Sequence, residues 1–229
     1  MKHYFDKIYC INLKHRTDRW FESLQEFKKL GIDSDVERFE ACELKPGIKG
    51  CTKSHYEIIK LAKKNKYKNV LIFEDDVKIL NNDFSSILSK CMQQINDMGI
   101  VYDMLYFGGN ITGDESKSYR INDNLVKLHM CKTTHAYVIS DNVYDIVLDS
   151  YKNINWDDNW NWHHHNEHRF NIDKWYINNI QHRGNTYGIY PCLADQRGSF
   201  SDLLGRVSSF SMFERYNHIV ETFKKNDKL

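Results

Sequence analysis

The run Val70-Leu71-Ile72-Phe73, passing directly into Glu74-Asp75-Asp76, restricts what this chain can become more than any other stretch. Four consecutive apolar residues read as a strand buried on both faces, as in a sheet covered by helices on each side. Three adjacent carboxylates at the end of such a strand repel one another and have no apolar face to settle against, so a positive charge has to sit beside them. Hard oxygen donors suit Mg²⁺ or Mn²⁺, ions that keep open positions for water or phosphate oxygens, and this points toward a nucleotide. A solvated acidic turn is the plainer alternative, so the neighbouring segments have to decide.

Those segments alternate strand and helix. Ile8 to Leu13 reads as a first buried strand, followed by Lys14-His15-Arg16-Thr17-Asp18-Arg19 and a helix from Asp18 to Leu30. Thr17 is the expected N-cap, Trp20, Phe21, Leu24, Phe27 and Leu30 the apolar stripe, and Gly31 the stop. Loops after the C-terminal ends of parallel strands face the ligand crevice, so Arg16 and Arg19 would be offered to a diphosphate, unless they merely pair with carboxylates such as Glu22. Val36 to Ala41 is a short second strand. Lys45 to Gly50 is a turn-rich connector into a helix over 50–65, where Ser54 and Glu57 have capping-box spacing. The alternative for Ser54 and His55 is contact with an anion or a sugar at the start of that helix.

Further helices are expected near 83–98 and 142–151, and strands at 104–107 and 135–140, with an exposed loop or hairpin over 111–124. His135 opens its strand as either a core histidine or a substrate contact. Asn171 to Tyr176 starts another helix with Asp173 in its first turn. Tyr187 to Pro191 reads as a late edge strand, Cys192 to Asp202 as a polar loop able to close over a ligand, and 210–225 as a helix. Alternation of this kind favours one mixed α/β domain over residues 1–229, with a C-terminal helical segment over 206–229.

Charge excludes some partners. Lysine plus arginine (32) nearly cancels aspartate plus glutamate (31), so no global field draws nucleic acid or an anionic membrane. No apolar run approaches the roughly 20 residues of a bilayer span, and the N-terminus shows no signal-peptide core, so a soluble, cytoplasmic or otherwise intracellular protein is expected. Cys10, Cys42, Cys51, Cys91, Cys131 and Cys192 lack paired spacing and are expected as reduced thiols. Trp156, Trp160 and Trp162 interleave with Asp157, Asp158 and His163-His164-His165, which reads as an acceptor-side insertion or flap over 156–170. His164 and His168 have the helical spacing of a metal pair, a competing use of the same stretch.

Taken in order, Ile11-Asn12-Leu13 with Arg16 and Asp18-Arg19, Gly50-Cys51-x-x-Ser54-His55, Phe73-Glu74-Asp75-Asp76, and the late Gln196 with Ser201-Asp202 resemble glycosyltransferase family 25. This family includes bacterial lipooligosaccharide galactosyl- and glucosyltransferases and animal procollagen galactosyltransferases. The resemblance implies a GT-A-like nucleotide-sugar-binding domain with a mixed, mainly parallel sheet flanked by helices. It also implies a UDP-hexose donor, a glycan or collagen-like hydroxylysine acceptor, and inversion at the anomeric carbon. Carried over, Asn12, Arg16 and Arg19 would hold the nucleotide and diphosphate, and Ser54, His55, Asp75, Gln196 and Ser201 would line the donor site. Asp76 and Glu74 would bind Mn²⁺ or Mg²⁺. Asp173 falls where the family places an acid near the acceptor and is the candidate base, with Asp202 and Asp195 as other candidates for base or metal ligand. The Trp/His-rich stretch departs from the family pattern.

Two other readings use the same residues. A metal-dependent nucleotidyltransferase also places acids at a strand end, but would want a glycine-rich phosphate loop where this chain has Lys14-His15-Arg16. A nucleotide-sugar-binding module would keep the fold without turnover.

Overall fold

The computed structural model describes residues 1, 3–80, 82–156, 170–201, 206–208 and 213–223. The first half alternates as the sequence implies: β1 (Lys7–Asn12), α1 (Thr17–Lys29), β2 (Val36–Glu40), α2 (Gly47–Lys64), β3 (Asn69–Glu74), β4 (Val77–Ile79), α3 (Phe84–Asp97) and β5 (Met104–Tyr106). Short strands follow: β6 (Asn110–Ile111), β7 (Tyr119–Arg120), β8 (Leu125–Lys127) and β9 (Cys131–Lys132). They lead to β10 (Ala136–Ser140), α4 (Tyr144–Tyr151), α5 (Ile172–Asn179), β11 (Thr186–Ile189), β12 (Ala194–Gln196), β13 (Ser199–Ser201), β14 (Arg206–Ser208) and α6 (Phe213–Thr222).

Eight strands form one sheet in the order β2-β1-β3-β10-β5-β11-β8-β7. Three of its pairings are parallel, β1 with β2, β1 with β3, and β5 with β11, and the others are antiparallel. Tracing direction through those pairings leaves β10 and β8 opposed to the rest, so the sheet is mixed and most of its strands share one direction. Helices cover both faces, as the expected fold class requires. Alternation along β3 shows why its sequence is unbroken and apolar. Val70 and Ile72 join a core with Ile58 and Ile59 of α2, whereas Leu71 and Phe73 join Phe27 of α1 and Phe84 and Leu88 of α3, and all of these are buried. Removing a buried aromatic such as Phe73 would cost about 3–5 kcal/mol.

Topology also locates the ligand crevice. The chain crosses from β1 to β2 on one side, then returns through α2 to β3 on the other side of β1. The carboxyl ends of β1 and β3 therefore meet at a switch point, where the two outgoing connections separate and leave a cleft.

Several local expectations need correction. α1 starts at Thr17 with Arg16 in the capping position and no side-chain cap, and Phe21 is 63% exposed instead of joining the stripe. The buried face of α1 instead contains Arg19, Ser23 and Glu26 beside Phe27, because it lies under the acidic end of β3 and receives polar partners from it. α2 begins three residues before the expected start, with Pro46 in the capping position, so Ser54 lies inside the helix and forms no capping box. β11 is not an edge strand: it lies between β5 and β8. The polar loop expected over 192–202 contains β12, which pairs with β4, and β13.

Candidate functional site

A cleft of about 630 Å³ opens at the switch point, lined by the ends of β1 and β3, the first turns of α2, the 41–45 connector, Thr133-Thr134, the start of α5 and Gln196-Arg197. The three carboxylates at the end of β3 meet different surroundings there. Asp75 is the most enclosed, 8% exposed, accepting a hydrogen bond from Asn12 Nδ2 at 2.5 Å and pairing with Arg19 at 2.6 Å. Its carbonyl accepts from Ser23 Oγ and from the Arg197 guanidinium, so the backbone of the acidic turn is bound to α1 and to the end of β12. Burial pushes the Asp75 carboxyl up, although Arg19 and Asn12 oppose the rise.

Asp76 lies 3.3 Å from Arg19 and receives a long 3.4 Å contact from Gln196 Nε2 on one oxygen, while its Oδ1 is buried without a hydrogen-bond partner. Burial first, then the charge of Glu74, pushes Asp76 up to about 7. Glu74 turns toward α2, accepting from Thr134 Oγ1 at 2.6 Å, with His55 Nε2 at 3.4 Å. Burial would raise Glu74, but His55 and the Thr134 hydroxyl outweigh it and hold the carboxyl below its ordinary value. The His55 ring is fully buried, and its Nδ1 lies 2.8 Å from Tyr137 Oη, which is 2.9 Å from Tyr176 Oη.

Asp173 lies across the cleft. Asn171 caps α5 by accepting from Lys174 N at 3.1 Å, so capping is not left to Asp173. One Asp173 oxygen accepts from Thr133 N at 3.0 Å and the other is buried without a partner. Burial, then the charge of Glu74, pushes this carboxyl up to about 6. Cys51, one helical turn before His55, also lines the cleft, and burial pushes its thiol well up, which agrees with a neutral thiol and not a nucleophile.

Residues 40–161, more than half of the chain, match the family model described as Glycosyltransferase family 25 (LPS biosynthesis protein). The chain belongs to glycosyltransferase family 25. It is 30% identical over 164 residues to a glycosyltransferase 25 family member of Drosophila melanogaster, covering 59% of this chain and 26% of that protein. It is 27% identical over 164 residues to procollagen galactosyltransferase 2 of Homo sapiens, with the same coverage of 59% and 26%. A third relative is a probable inactive glycosyltransferase 25 family member 3 of Bos taurus, 27% identical over 163 residues, covering 59% of this chain and 27% of that protein. The chain thus spans about a quarter of the length of the curated relatives it matches.

The segment matching the family contains Ser54, His55, Glu74, Asp75 and Asp76, while Asn12, Arg16, Arg19, Asp173, Gln196, Ser201 and Asp202 lie outside it. Folding brings Asn12, Arg19, Asp173 and Gln196 to the same cleft. Arg16 is not among the cleft-lining residues: its guanidinium forks onto Asp18 at 2.8 Å, which holds the Asp18 carboxyl down at about 2. Asn12 is 1% exposed, donating to Asp75 and to Arg16 O and accepting from Arg38, so it is fastened between protein groups. Ser54 is fully buried, donating to Gly50 O and accepting from Cys42 N, both at 2.8 Å, and thereby fastens the cleft wall.

The Ser201 backbone forms part of β13, and Asp202 and most of the Trp/His-rich stretch, 157–169, lie outside the described residues. Trp156 packs against Tyr56, Tyr151 and Phe170 within the protein. His135 is a core histidine whose Nε2 lies 3.1 Å from Ala194 O, and burial lowers its pKa.

Sequence reasoning missed Arg38, Arg197 and Thr134. Arg38 had a usable signal: in β2 it is in register with Cys10, two residues before the strand end where Asn12 sits. Thr134 had none, because its place beside Glu74 depends on β10 inserting next to β3 in the antiparallel sense.

Proposed function

We propose that this chain performs glycosyl transfer, moving a hexose, galactose or glucose, from a UDP-sugar to a hydroxyl of a glycan or of a collagen-like hydroxylysine, with inversion at the anomeric carbon. The observation that carries the reading is the presence of two incompletely bonded carboxylates in one cleft. Asp76 and Asp173 each have a buried, unpartnered oxygen, and each is pushed toward neutrality by burial and by Glu74. Such groups gain most from a cation or a proton brought by a ligand.

In this reading Asp173, at about 6, accepts the proton of the acceptor hydroxyl as its oxygen attacks the anomeric carbon and the bond to the diphosphate breaks. Arg19, at the mouth of the acidic turn, attracts the departing diphosphate, and Gln196 and Arg197 border the same side of the cleft. The donor set suits a hard ion, since the Asp76 oxygen is buried without a partner and crowded by negative charge. Asp76, with Glu74, would hold Mn²⁺ or Mg²⁺, which when bound supplies neutralisation of the diphosphate leaving group.

UDP release from UDP-galactose, UDP-glucose and UDP-N-acetylglucosamine, with and without Mn²⁺, tests the reading on wild type, Asp76→Ala and Asp173→Asn. Metal-dependent release from one donor, lost in Asp76→Ala and reduced about 10²–10⁴-fold in Asp173→Asn, is expected. A second reading, a nucleotide-sugar-binding module, is favoured by the inactive name carried by one relative. Donor binding by calorimetry without any UDP release would decide for it.

A further inference from the structure

Helix α2 carries a second set of donor side chains facing the cleft. Cys51 and His55 are four residues apart on that helix, so both side chains project from one face, toward Glu74 at the end of β3. One donor atom from each of Cys51, His55 and Glu74 lies within 4.8 Å of the other two, the single such group of three among the described residues. We propose that these three residues form a binding site for a borderline divalent ion of the Zn²⁺ class, separate in chemistry from the hard-ion position at Asp76 and open to the cleft on its fourth side.

Three observations support it. The first is distance. Two ligands about 2.1 Å from one ion at a tetrahedral angle lie about 3.4 Å apart. His55 Nε2 and Glu74 Oε1 are separated by 3.4 Å. The second is an unmet need: His55 is fully buried, yet its Nε2 has no hydrogen-bond partner, because the Glu74 contact does not have the alignment of a hydrogen bond. The third is support from behind. His55 Nδ1 lies 2.8 Å from Tyr137 Oη, and Glu74 Oε1 accepts from Thr134 Oγ1 at 2.6 Å. When Nδ1 carries the proton and Tyr137 accepts it, Nε2 keeps its lone pair, 3.4 Å from Glu74 Oε1. A bound metal uses this arrangement: the remote ring nitrogen is held by an outer partner that fixes the tautomer.

The donor set selects the ion. One sulfur, one imidazole nitrogen and one carboxylate oxygen suit Zn²⁺ far better than Mg²⁺, while the all-oxygen surroundings of Asp76 have the opposite preference. Binding converts the Cys51 thiol to a thiolate and releases its proton to solvent, so no oxidant or reductant takes part. Glu74 is also assigned to the hard-ion position with Asp76, so an ion bound by Cys51 and His55 withdraws Glu74 Oε1 from that position.

Co²⁺ in place of Zn²⁺ makes the site visible in the untagged full chain, because a thiolate bound to Co²⁺ gives a near-ultraviolet charge-transfer band. One equivalent of Co²⁺ is expected to produce the band and Zn²⁺ to abolish it. Cys51→Ser should remove it and weaken Zn²⁺ binding at least about tenfold, the loss that even an outer partner of a bound metal can cause. Cys42→Ser, in the 41–45 connector beside Ser54 and outside the group of three donors, should leave it unchanged. The His163-His164-His165 stretch contains no thiol and cannot give the signal. No band, a band that survives Cys51→Ser, or a band lost equally in Cys42→Ser overturns the proposal. Should Cys51→Ser fail to fold, alkylation mapped by mass spectrometry on wild type decides instead: Zn²⁺ must protect Cys51 and not Cys42, and unprotected Cys51 is the overturning result. None of these readouts involves a sugar, so failure of the metal site and failure of the transferase reading remain distinguishable.

Discussion

Asp173→Asn should stabilise the protein while removing the proposed chemistry, and the effect should depend on pH in a defined direction. The Asp173 carboxyl is raised from 3.8 to about 6 because burial and the Glu74 charge both oppose its ionised form. Each pH unit between folded and unfolded values is worth about 1.4 kcal/mol, so holding Asp173 ionised in the fold costs about 3 kcal/mol. The folded value is raised, so this penalty is absent below pH 3.8, grows as pH rises from 3.8 to about 6, and is complete above that. Asparagine has nearly the same shape, its carbonyl can still accept from Thr133 N, and it never ionises. Urea unfolding of both proteins, without donor or divalent ion, should show little difference at pH 4 and a gain of up to about 3 kcal/mol for the variant at pH 8. Above pH 6 the wild type should transfer sugar and below it lose activity as Asp173 protonates. A stability difference that is the same at pH 4 and pH 8, or a variant less stable at pH 8, would refute the reasoning.

Two further substitutions test how the cleft is held open. Asn12→Ala strips a partner from Asp75, from Arg38 and from Arg16 O at once, so urea unfolding should show a loss of about 1–3 kcal/mol or more; a neutral result would mean that Asn12 does not clasp the turn. Gly50→Ala places a Cβ 2.2 Å from Cys42 O and 3.0 Å from Leu44 N, both backbone atoms that can yield only by moving the cleft wall. A loss of about 1–3 kcal/mol and a lower melting temperature are expected, and an unchanged melting curve would contradict the packing of α2 against that wall.

Much of the fold was legible because burial leaves a direct mark on sequence. Val70 to Phe73 had to be apolar throughout since its residues alternate between two helix-covered faces, and that pattern correctly placed β3 and the acidic end. Contacts made at long range were not legible. Ile72 and Tyr137 are brought into one layer by β10 entering beside β3 antiparallel, and no local periodicity distinguishes that insertion from a parallel one. The polar side of α1 misled for a related reason: Arg19, Ser23 and Glu26 look solvated by their chemistry, yet they are buried because the β3 turn, Ile79 and the acidic residues supply their partners. Ser54 and Glu57 fit a capping box by spacing alone. The true start of α2 follows Pro46, a residue well suited to a helix start, whose place before Gly47 reads equally well as a turn. Among the candidate residues, Asn12, Ser54 and Asp75 show how motif membership mixes two duties, since each reaches the cleft through bonds that hold the protein together.

The carboxylates of Glu74-Asp75-Asp76 can coexist because the alternation of β3 continues past its last ladder residue. Phe73 faces α1, so Glu74 turns to α2 and meets His55, and Asp75 turns back to α1 and meets Arg19. Adjacent charges are thereby sent to opposite sides of the sheet, each toward a different cationic or hydrogen-bonding partner, which relieves most of the repulsion that the bare sequence implies. Asp76, at the turn into β4, is left with one buried oxygen unpartnered and only a long contact to Gln196 on the other beside Arg19. The same backbone geometry that makes three acids in a row tolerable therefore leaves one of them incompletely satisfied, at the mouth of the switch-point cleft. Asp75, already bonded to Asn12 and Arg19, has little left to offer a ligand, so the binding capacity of the acidic turn concentrates at Asp76 and Glu74, which line the same cleft.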